Sequence, residues 1–238
     1  MPKEDELNFM GTDPGAVKFG NFINYYSFHS AKQRIENLHP DMFPTQSFNE
    51  PLLCLDIGCN TGELTQELCT YLETVYTNKI YMLGIDIDNN LIQRANETNC
   101  NSNITFAPLD VMNEKEFQII EKFLDYHKRK TFDITFCFSV TMWIHINNGD
   151  EGLKKFLGFL KKLSKLIIIE PQPWSCYRNA QRRVKKSGGS FPLYNELRIR
   201  SDVESTIEQF FIDDHYKKVY ESINSSWNRK IKSFQIDR

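Results

Sequence analysis

The sequence predicts an α/β fold built on one open, mostly parallel β-sheet. From residue 52 onward, short apolar runs alternate with amphipathic stretches, as strands alternate with helices in such folds. The runs are apolar throughout, which is typical of parallel strands covered by helices on both faces. The 238 residues are 40% hydrophobic and 25% charged and contain no internal repeat or low-complexity linker, so we expect one soluble domain.

The elements follow in order along the chain. The apolar runs predict five strands at residues 52–58, 80–86, 104–110, 132–138 and 165–170. Helical periodicity follows the first four, at residues 63–76, 91–96, 114–127 and 152–163. After Pro192 we expect a helix at 203–212 and two strands at 216–222 and 231–236. These last two predict an antiparallel hairpin that completes a seven-stranded sheet at its edge.

The N-terminal region differs from this pattern. Residues 18–29 contain five aromatic side chains and a histidine ahead of the first strand. They are interpreted either as a helix packed over the sheet or as a lid that walls a substrate site. We expect residues 1–17 to be a flexible N-terminus and 18–238 to be a single domain, with the aromatic segment at 18–50 and the sheet core at 51–238.

Composition excludes several classes of protein. No apolar run approaches the roughly 20 residues of a membrane helix, and residues 1–6 lack the apolar core of a signal peptide. The six cysteines include no Cys-x-x-Cys pair, which argues against a zinc knuckle or redox motif. We therefore expect no metal, no membrane partner and a reducing compartment, the cytoplasm, with the nucleus as the alternative.

A basic stretch lies within this nearly neutral chain, whose formal net charge is -2. Residues 161–190 carry one acid, Glu170, and eight basic side chains: Lys161, Lys162, Lys165, Arg178, Arg182, Arg183, Lys185 and Lys186. Such a stretch is either a solvated helix face or the contact surface of a phosphate-rich partner.

The loop after the first strand predicts a nucleoside-binding site. Residues 55–62 read LDIGCNTG, a Gly-x-x-x-Gly pattern that lacks the third glycine of nicotinamide enzymes. Asp56, Asp86 and Asp110 lie near the ends of the first three strands, where ligands bind in parallel sheets. Each acid alone could be a helix cap. The three acids together with the glycine loop are a stronger signal, because Asp86 could accept the hydroxyls of a ribose and Asp110 could lie beside an adenine edge. The pattern predicts an S-adenosylmethionine pocket.

Four segments, at residues 55–62, 84–88, 139–146 and 170–174, resemble the bicoid-interacting-type RNA methyltransferases from about Phe19 to about Phe234. The resemblance implies a Rossmann-like class I methyltransferase fold, with S-adenosyl-L-methionine as cofactor, S-adenosyl-L-homocysteine as product and no metal. The cofactor-binding residues expected from the motifs and the strand-end pattern together are Arg34, Asp56, Gly58, Asn60, Gly62, Asp86, Ile87, Asp110, Val111 and Phe138.

The N-terminal segment separates two branches of that family. Phe19-Gly-Asn-Phe, residues 26–29 (YSFH) and Arg34 are similar to the branch that methylates RNA 5'-monophosphates. The branch that caps the γ-phosphate of small nuclear RNA tends to carry other residues there. We favour the monophosphate branch, with precursor microRNA or histidine transfer RNA as the implied substrate, no DNA partner and a monomeric enzyme.

The expected chemistry assigns roles to loops at the same sheet edge. A terminal phosphate has a second pKa near 6, so an anionic oxygen needs positioning rather than a general base. The candidate catalytic residues are Tyr25, His29, His145, Gln172 and Arg178. The candidate RNA-binding residues are Trp174, Tyr177, Arg182, Arg183, Lys185 and Lys186. Either histidine could instead be a satisfied core residue, and Trp174 could be a core anchor rather than a base platform.

Three alternative functions remain open. One is the capping activity on a γ-phosphate, and a second is a small-molecule methyltransferase, which leaves the basic stretch unexplained. The third is a non-catalytic RNA-binding scaffold that retains the cofactor pocket.

Overall fold

In a computed structural model, which describes residues 17–43, 51–212 and 215–236, the chain forms one seven-stranded sheet. The strand order is β3-β2-β1-β4-β5-β7-β6, with β1 to β5 parallel and β7 antiparallel to both of its neighbours. The strands are β1 (Leu52–Ile57), β2 (Ile80–Asp86), β3 (Ile104–Pro108), β4 (Phe132–Phe138), β5 (Ser164–Glu170), β6 (Tyr216–Glu221) and β7 (Lys232–Ile236). The predicted α/β class and C-terminal hairpin are confirmed.

Helices cover both faces of this sheet. They are α1 (Ala31–Glu36), α2 (Glu63–Val75), α3 (Asn89–Thr98), α4 (Gln118–Tyr126), α5 (Thr141–Leu163), α6 (Trp174–Lys186) and α7 (Val203–Ile212). Every residue of β1 is buried, and its alternate side chains enter two separate hydrophobic clusters. Leu53 and Leu55 belong to one cluster and Leu52 and Cys54 to the other, because successive side chains point to opposite faces.

Two helices differ from the sequence prediction. α5 begins at Thr141 rather than 152 and is kinked at Gly149, whose φ of 74° breaks the helical geometry. The polar residues around that glycine interrupt the apolar periodicity, so the first half of α5 was not predicted. α6 was not predicted as an element either, because its basic residues dominate the composition. Its buried side, which includes Tyr177, Ala180 and Val184, nevertheless has helical spacing.

The aromatic segment packs on the sheet core and also lines a cavity, but within residues 18–29 its only helical part is a short 3-10 turn at Tyr25–Ser27 rather than the expected helix. Phe22 is buried and packs edge-on against Trp143 with ring centroids 5.9 Å apart. Gly20 and Tyr25 instead line a cavity at the sheet edge. Residues 1–16, which include most of the predicted flexible N-terminus, and residues 44–50 lie outside the described residues, so the predicted division of the chain stays a prediction. Among the described helices, none has the length and apolar character needed to cross a lipid bilayer.

Candidate functional site

A first cavity of about 310 Å³ lies at the carboxyl ends of β1 to β4. The aromatic segment and the first half of α5 close its sides. The structure brings seven of the ten predicted cofactor-binding residues to its wall: Gly58, Asn60, Asp86, Ile87, Asp110, Val111 and Phe138. This is the strand-end position at which open parallel sheets bind ligands.

The loop after β1 lies close to the cavity because Gly58 has no side chain. Its φ is 77°, and a Cβ there would lie 2.4 Å from Val140 Cγ2. The Gly58 and Cys59 amides donate to the Ile85 carbonyl at 2.8 and 3.0 Å, which ties the loop to the end of β2. Any other residue at position 58 would therefore collide with Val140 on the cavity wall.

Asp86 is the last residue of β2 and forms the acidic part of this wall. Its two carboxylate oxygens accept the backbone amides of Asn60 and Asp88, each at 3.0 Å. Burial raises the pKa of Asp86 to about 6. The carboxyl is thereby fixed in orientation and keeps further lone pairs for hydroxyl donors. Asp110 is oriented similarly by the Met112 amide, at 2.8 Å from its Oδ1.

Three predicted cofactor residues do not line the first cavity. Asp56 is buried and accepts the Thr65 hydroxyl at 2.6 Å, which gives it a structural role at the start of α2. Gly62 caps α2 in a left-handed conformation. Arg34 lies behind the wall and donates to two residues that form it, the Tyr25 hydroxyl at 2.7 Å and Ser139 Oγ at 3.0 Å. Its buried Nη1 has no hydrogen-bond partner within the described part of the chain.

A buried ionic cluster joins β5 to the N-terminal segment and to the loop between β6 and β7. Glu170 Oε1 accepts from Ser139 Oγ at 2.6 Å, from Arg34 Nη2 at 3.2 Å and from Arg229 Nη1 at 3.3 Å. Burial opposes its ionisation, but the Arg34 and Arg229 guanidiniums together lower the pKa of Glu170 to about 2. Glu170 is therefore a carboxylate throughout the physiological range.

A second cavity of about 290 Å³ adjoins the first and shares Tyr25, Ser139 and Trp143 with it. Arg229, Arg183 and His29 are among the residues of its own wall. Burial, with the Arg229 and Arg34 charges, lowers the pKa of His29 to about 3, so its ring is neutral at pH 7. His29 Nδ1 and Arg229 Nε are both buried, and neither has a hydrogen-bond partner in the residues that the structure describes.

Three of the predicted catalytic residues, Tyr25, His29 and Gln172, lie on the second cavity. The Gln172 amide is engaged by the protein: its Oε1 accepts from the Met142 amide at 3.1 Å, and its Nε2 donates to the Ser139 carbonyl. Gln172 therefore holds the start of α5 and the shared wall in place.

The structure corrects the roles predicted for His145 and Tyr177, whose side chains are fully buried and line neither cavity. The His145 ring contacts the Tyr177 hydroxyl through Nδ1 at 3.0 Å and Asp150 Oδ1 through Nε2 at 2.8 Å. This hydrogen-bonded chain joins both halves of α5 to α6, which gives the two residues a structural role away from both cavities. A satisfied core histidine was the alternative interpretation of this position.

Trp174 and Arg178 also lie outside both cavities, so the roles predicted for them stay predictions. Trp174 is half-buried and stacks on Tyr177 and Tyr194, with centroids 4.8 and 5.4 Å apart, so it anchors α6. Arg178 is exposed and lines neither cavity. Arg182, Lys185 and Lys186 are exposed on α6, whereas Arg183 reaches the second cavity.

Sequence reasoning assigned no role to Ser139, Glu170 or Arg229. The first two lie at strand ends, the same signal that identified Asp86, and so could have been found. Arg229 lies in a turn 59 residues from its partner Glu170, and no local pattern marks it.

Comparisons with known proteins agree with this geometry. A methyltransferase domain model matches residues 55–167, and the model "Bicoid-interacting protein 3 (Bin3)" matches residues 132–236. The chain is 40% identical to a pre-miRNA 5'-monophosphate methyltransferase of Xenopus laevis, covering 95% of each chain. It is 38% identical to the RNA 5'-monophosphate methyltransferase of Homo sapiens, covering 93% of this chain and 82% of the relative.

A more distant relative and a solved structure extend the comparison. The U6 snRNA methylphosphate capping enzyme Amus of Drosophila melanogaster is 30% identical over 78% of this chain and 62% of its own. The N-methyltransferase NodS of Bradyrhizobium japonicum WM9, solved with S-adenosyl-L-homocysteine, superposes with a TM-score of 0.57. It is 14% identical over 90% of this chain and 92% of its own, so it shows the fold alone.

The fold and the first cavity define a Rossmann-like, S-adenosylmethionine-dependent methyltransferase. With full-length relatives at about 40% identity, the chain belongs to the Bin3 family of RNA methyltransferases.

Proposed function

We propose that this protein transfers a methyl group from S-adenosylmethionine to the 5'-terminal monophosphate of a small RNA. The observation that carries the proposal is the pair of adjoining cavities that share Tyr25, Ser139 and Trp143. One has the strand-end acids of a nucleoside site, and the other contains two arginines and a neutral histidine. The names of the full-length relatives support the same acceptor.

The first cavity fits the cofactor. Asp86 would accept the ribose hydroxyls, and Asp110 would contact the adenine edge. Gly58, which has no side chain, would let the cofactor lie close to the backbone of the loop after β1. Arg34 would act from behind this wall, because it donates to the Tyr25 hydroxyl and to Ser139 Oγ, which line the cavity. When bound, the cofactor supplies an activated methyl: the acceptor oxygen forms the new O–C bond while the C–S bond breaks and sulfur keeps the electron pair.

The protein's task on the acceptor side is positioning. A monophosphate is largely dianionic at pH 7, so the reacting oxygen requires no general base. Neutral His29 and the hydroxyls of Tyr25 and Ser139 surround the second cavity without adding charge. This suits the chemistry, because an oxygen in too many ion pairs is a weak nucleophile.

The exposed basic residues among the RNA-binding candidates lie on α6, the helix that also contributes Asn179 and Arg183 to the second cavity. Arg182, Lys185 and Lys186 would contact the RNA backbone behind its 5' end, and such contacts contribute affinity and salt dependence rather than base specificity. Precursor microRNA and histidine transfer RNA are the candidate substrates, because each would present a 5' end with an RNA backbone behind it. We place the enzyme in the cytoplasm as a monomer, as part of the same proposal.

The test is methyl transfer from labelled S-adenosylmethionine to one hairpin RNA prepared with a 5'-hydroxyl, a 5'-monophosphate or a 5'-triphosphate. We expect label on the monophosphate form alone. Preference for the triphosphate would assign the capping activity, which the Drosophila relative represents. Absence of label on all three, with cofactor still bound, would overturn the proposal and indicate another acceptor or a scaffold.

A further inference from the structure

The buried ionic cluster between the two cavities carries an unbalanced positive charge. Arg34 and Arg229 are 1% and 10% exposed, and among the described residues both pair with the same carboxylate, Glu170. His29 beside them is neutral at pH 7. Two guanidiniums against one carboxylate leave a net charge of +1 in a poorly solvated place. Burying an uncompensated charge is costly, so the cluster favours an anion at its surface.

Arg229 is the member of the cluster that reaches the second cavity. Its Nη1 donates to Ser139 Oγ at 2.6 Å and to Glu170 at 3.3 Å, and its Nη2 lies 3.6 Å from Cys176 Sγ. These contacts fix the plane of the guanidinium, and among the described residues its buried Nε has no hydrogen-bond partner. A guanidinium held rigidly on a cavity wall is suited to a phosphate.

The backbone around Arg229 is also held in place. The Arg229 amide donates to Ser225 Oγ at 3.1 Å, and the Arg229 carbonyl accepts the Ser225 amide at 2.8 Å. The turn thereby fixes the backbone at this residue. Two other arginines near the cavities, Arg34 and Arg183, are less suited to bind a ligand in the second cavity. Arg34 lines neither cavity, and Arg183 is only half-buried, on α6.

We propose that Arg229 is the specificity-determining residue that binds the acceptor's terminal phosphate, with Glu170 and Ser139 positioning its guanidinium and His29 Nδ1 on the same wall. This inference rests on the proposed function and adds to it the residue that recognises the 5' phosphate. It accounts for the place of Arg229 on the wall of the second cavity and for the surplus charge of the cluster. It also assigns a ligand to a residue that no sequence motif marks.

The experiment compares the affinities of two matched hairpin RNAs, with a 5'-monophosphate or a 5'-hydroxyl, in the presence of S-adenosylhomocysteine. For the wild-type protein we expect the phosphate form to bind about tenfold more tightly. Arg229→Gln should abolish that ratio while S-adenosylhomocysteine affinity stays within about twofold. The matched variant Arg182→Gln, on exposed α6, should weaken both RNAs equally and keep the ratio.

Arg229→Lys covers the case in which the glutamine variant fails to fold, because it keeps the charge opposite Glu170. An ammonium has no planar fork to serve Ser139, Glu170 and a phosphate together, so we expect the ratio to fall at least about threefold. A wild-type ratio retained in the folded variants would overturn the role of Arg229, as would a wild-type protein that binds both RNAs equally. Failure of the proposed function is separate: the wild-type protein would then not label monophosphate RNA.

Discussion

Arg34 and Glu170 form a bidentate ion pair, in which Nε and Nη2 each lie 3.2 Å from a carboxylate oxygen although the residues are 136 positions apart. Both side chains are at most 1% exposed. The pair ties α1 to the end of β5 and so fixes the aromatic segment over the sheet edge. The wall shared by the two cavities depends on this contact, because Arg34 also holds the Tyr25 hydroxyl and Ser139 Oγ.

Replacing Glu170 with glutamine should destabilise the fold strongly. The variant leaves two buried guanidiniums without a counter-charge, and breaking a buried pair in this way typically lowers the free energy of unfolding by about 3–5 kcal/mol. Chemical denaturation measures the change. The matched control is Glu151→Gln, which removes an exposed i,i+3 pair with Lys154 and should leave the unfolding curve unchanged.

The same carboxylate predicts a pH dependence. Because the folded pKa of Glu170, about 2, lies below the ordinary value of 4.5, its contribution to stability is complete above about pH 4.5. It is lost as the pH falls from there toward 2. Melting temperatures over this range should fall more steeply for the wild-type protein than for Glu170→Gln, and parallel curves would contradict the assignment.

Asp86 should make cofactor binding pH-dependent. Its pKa, raised to about 6 by burial, means that acid removes the carboxylate that accepts hydroxyl donors. We expect the affinity for S-adenosylhomocysteine, measured by calorimetry, to fall about tenfold per pH unit below about 6. Asp86→Asn should bind weakly at all pH values with a flat profile, and Asp86→Ala should not bind.

Asp56 provides the control, since burial raises its pKa to about 6 as well but its carboxyl lies off the cavity against Thr65. Asp56→Asn should retain the pH dependence of binding. If this variant flattened the profile and Asp86→Asn did not, the assignment of the ribose site to Asp86 would be wrong.

Phe28 should be the aromatic residue on which the first RNA base stacks. It is 42% exposed on the wall of the second cavity, whereas Trp174 is stacked against Tyr177 and Tyr194. Phe28→Ala should weaken RNA binding by about 1–3 kcal/mol with little effect on folding. Trp174→Ala should lower the free energy of unfolding by about 2 kcal/mol and leave the RNA affinity of the folded protein unchanged.

A filter-binding titration and a denaturation curve for each variant separate these effects. Tyr126→Ala serves as the control, because Tyr126 is 83% exposed on α4 and lines neither cavity. Loss of RNA affinity in folded Trp174→Ala, with none in Phe28→Ala, would restore the assignment made from the sequence.

The sequence predicted the parts of the site that are local in the chain. The strands are marked by runs of apolar residues, and Asp86 and Gly58 lie directly at their ends, so the strand-end wall of the first cavity could be predicted from the sequence. The second cavity could not, because it depends on contacts between distant segments. Arg229 meets Ser139 across 90 residues, and neither position carries a local signal of the other.

For His145, the local sequence suggested a catalytic role that its contacts in the fold do not favour. Its position in a recognisable motif after β4 suggested chemistry, yet its ring is satisfied by Tyr177, 32 residues away, and by Asp150. Whether a histidine is a core residue or a catalyst is decided by such partners. The helical geometry of residues 141–148, which turns His145 inward, is itself hidden by the break at Gly149.

The common wall of Tyr25, Ser139 and Trp143 limits how the enzyme can acquire new acceptors. A substitution in any of the three changes the walls of both cavities at once, so under the proposed function a change on the acceptor side also alters the cofactor side. Variation that leaves the donor side intact is confined to positions such as Phe28, Asn179 and Arg183, which only the second cavity uses. Divergence of acceptor preference within this architecture is therefore expected to concentrate on the aromatic segment and α6, and to spare the ends of β1 to β4.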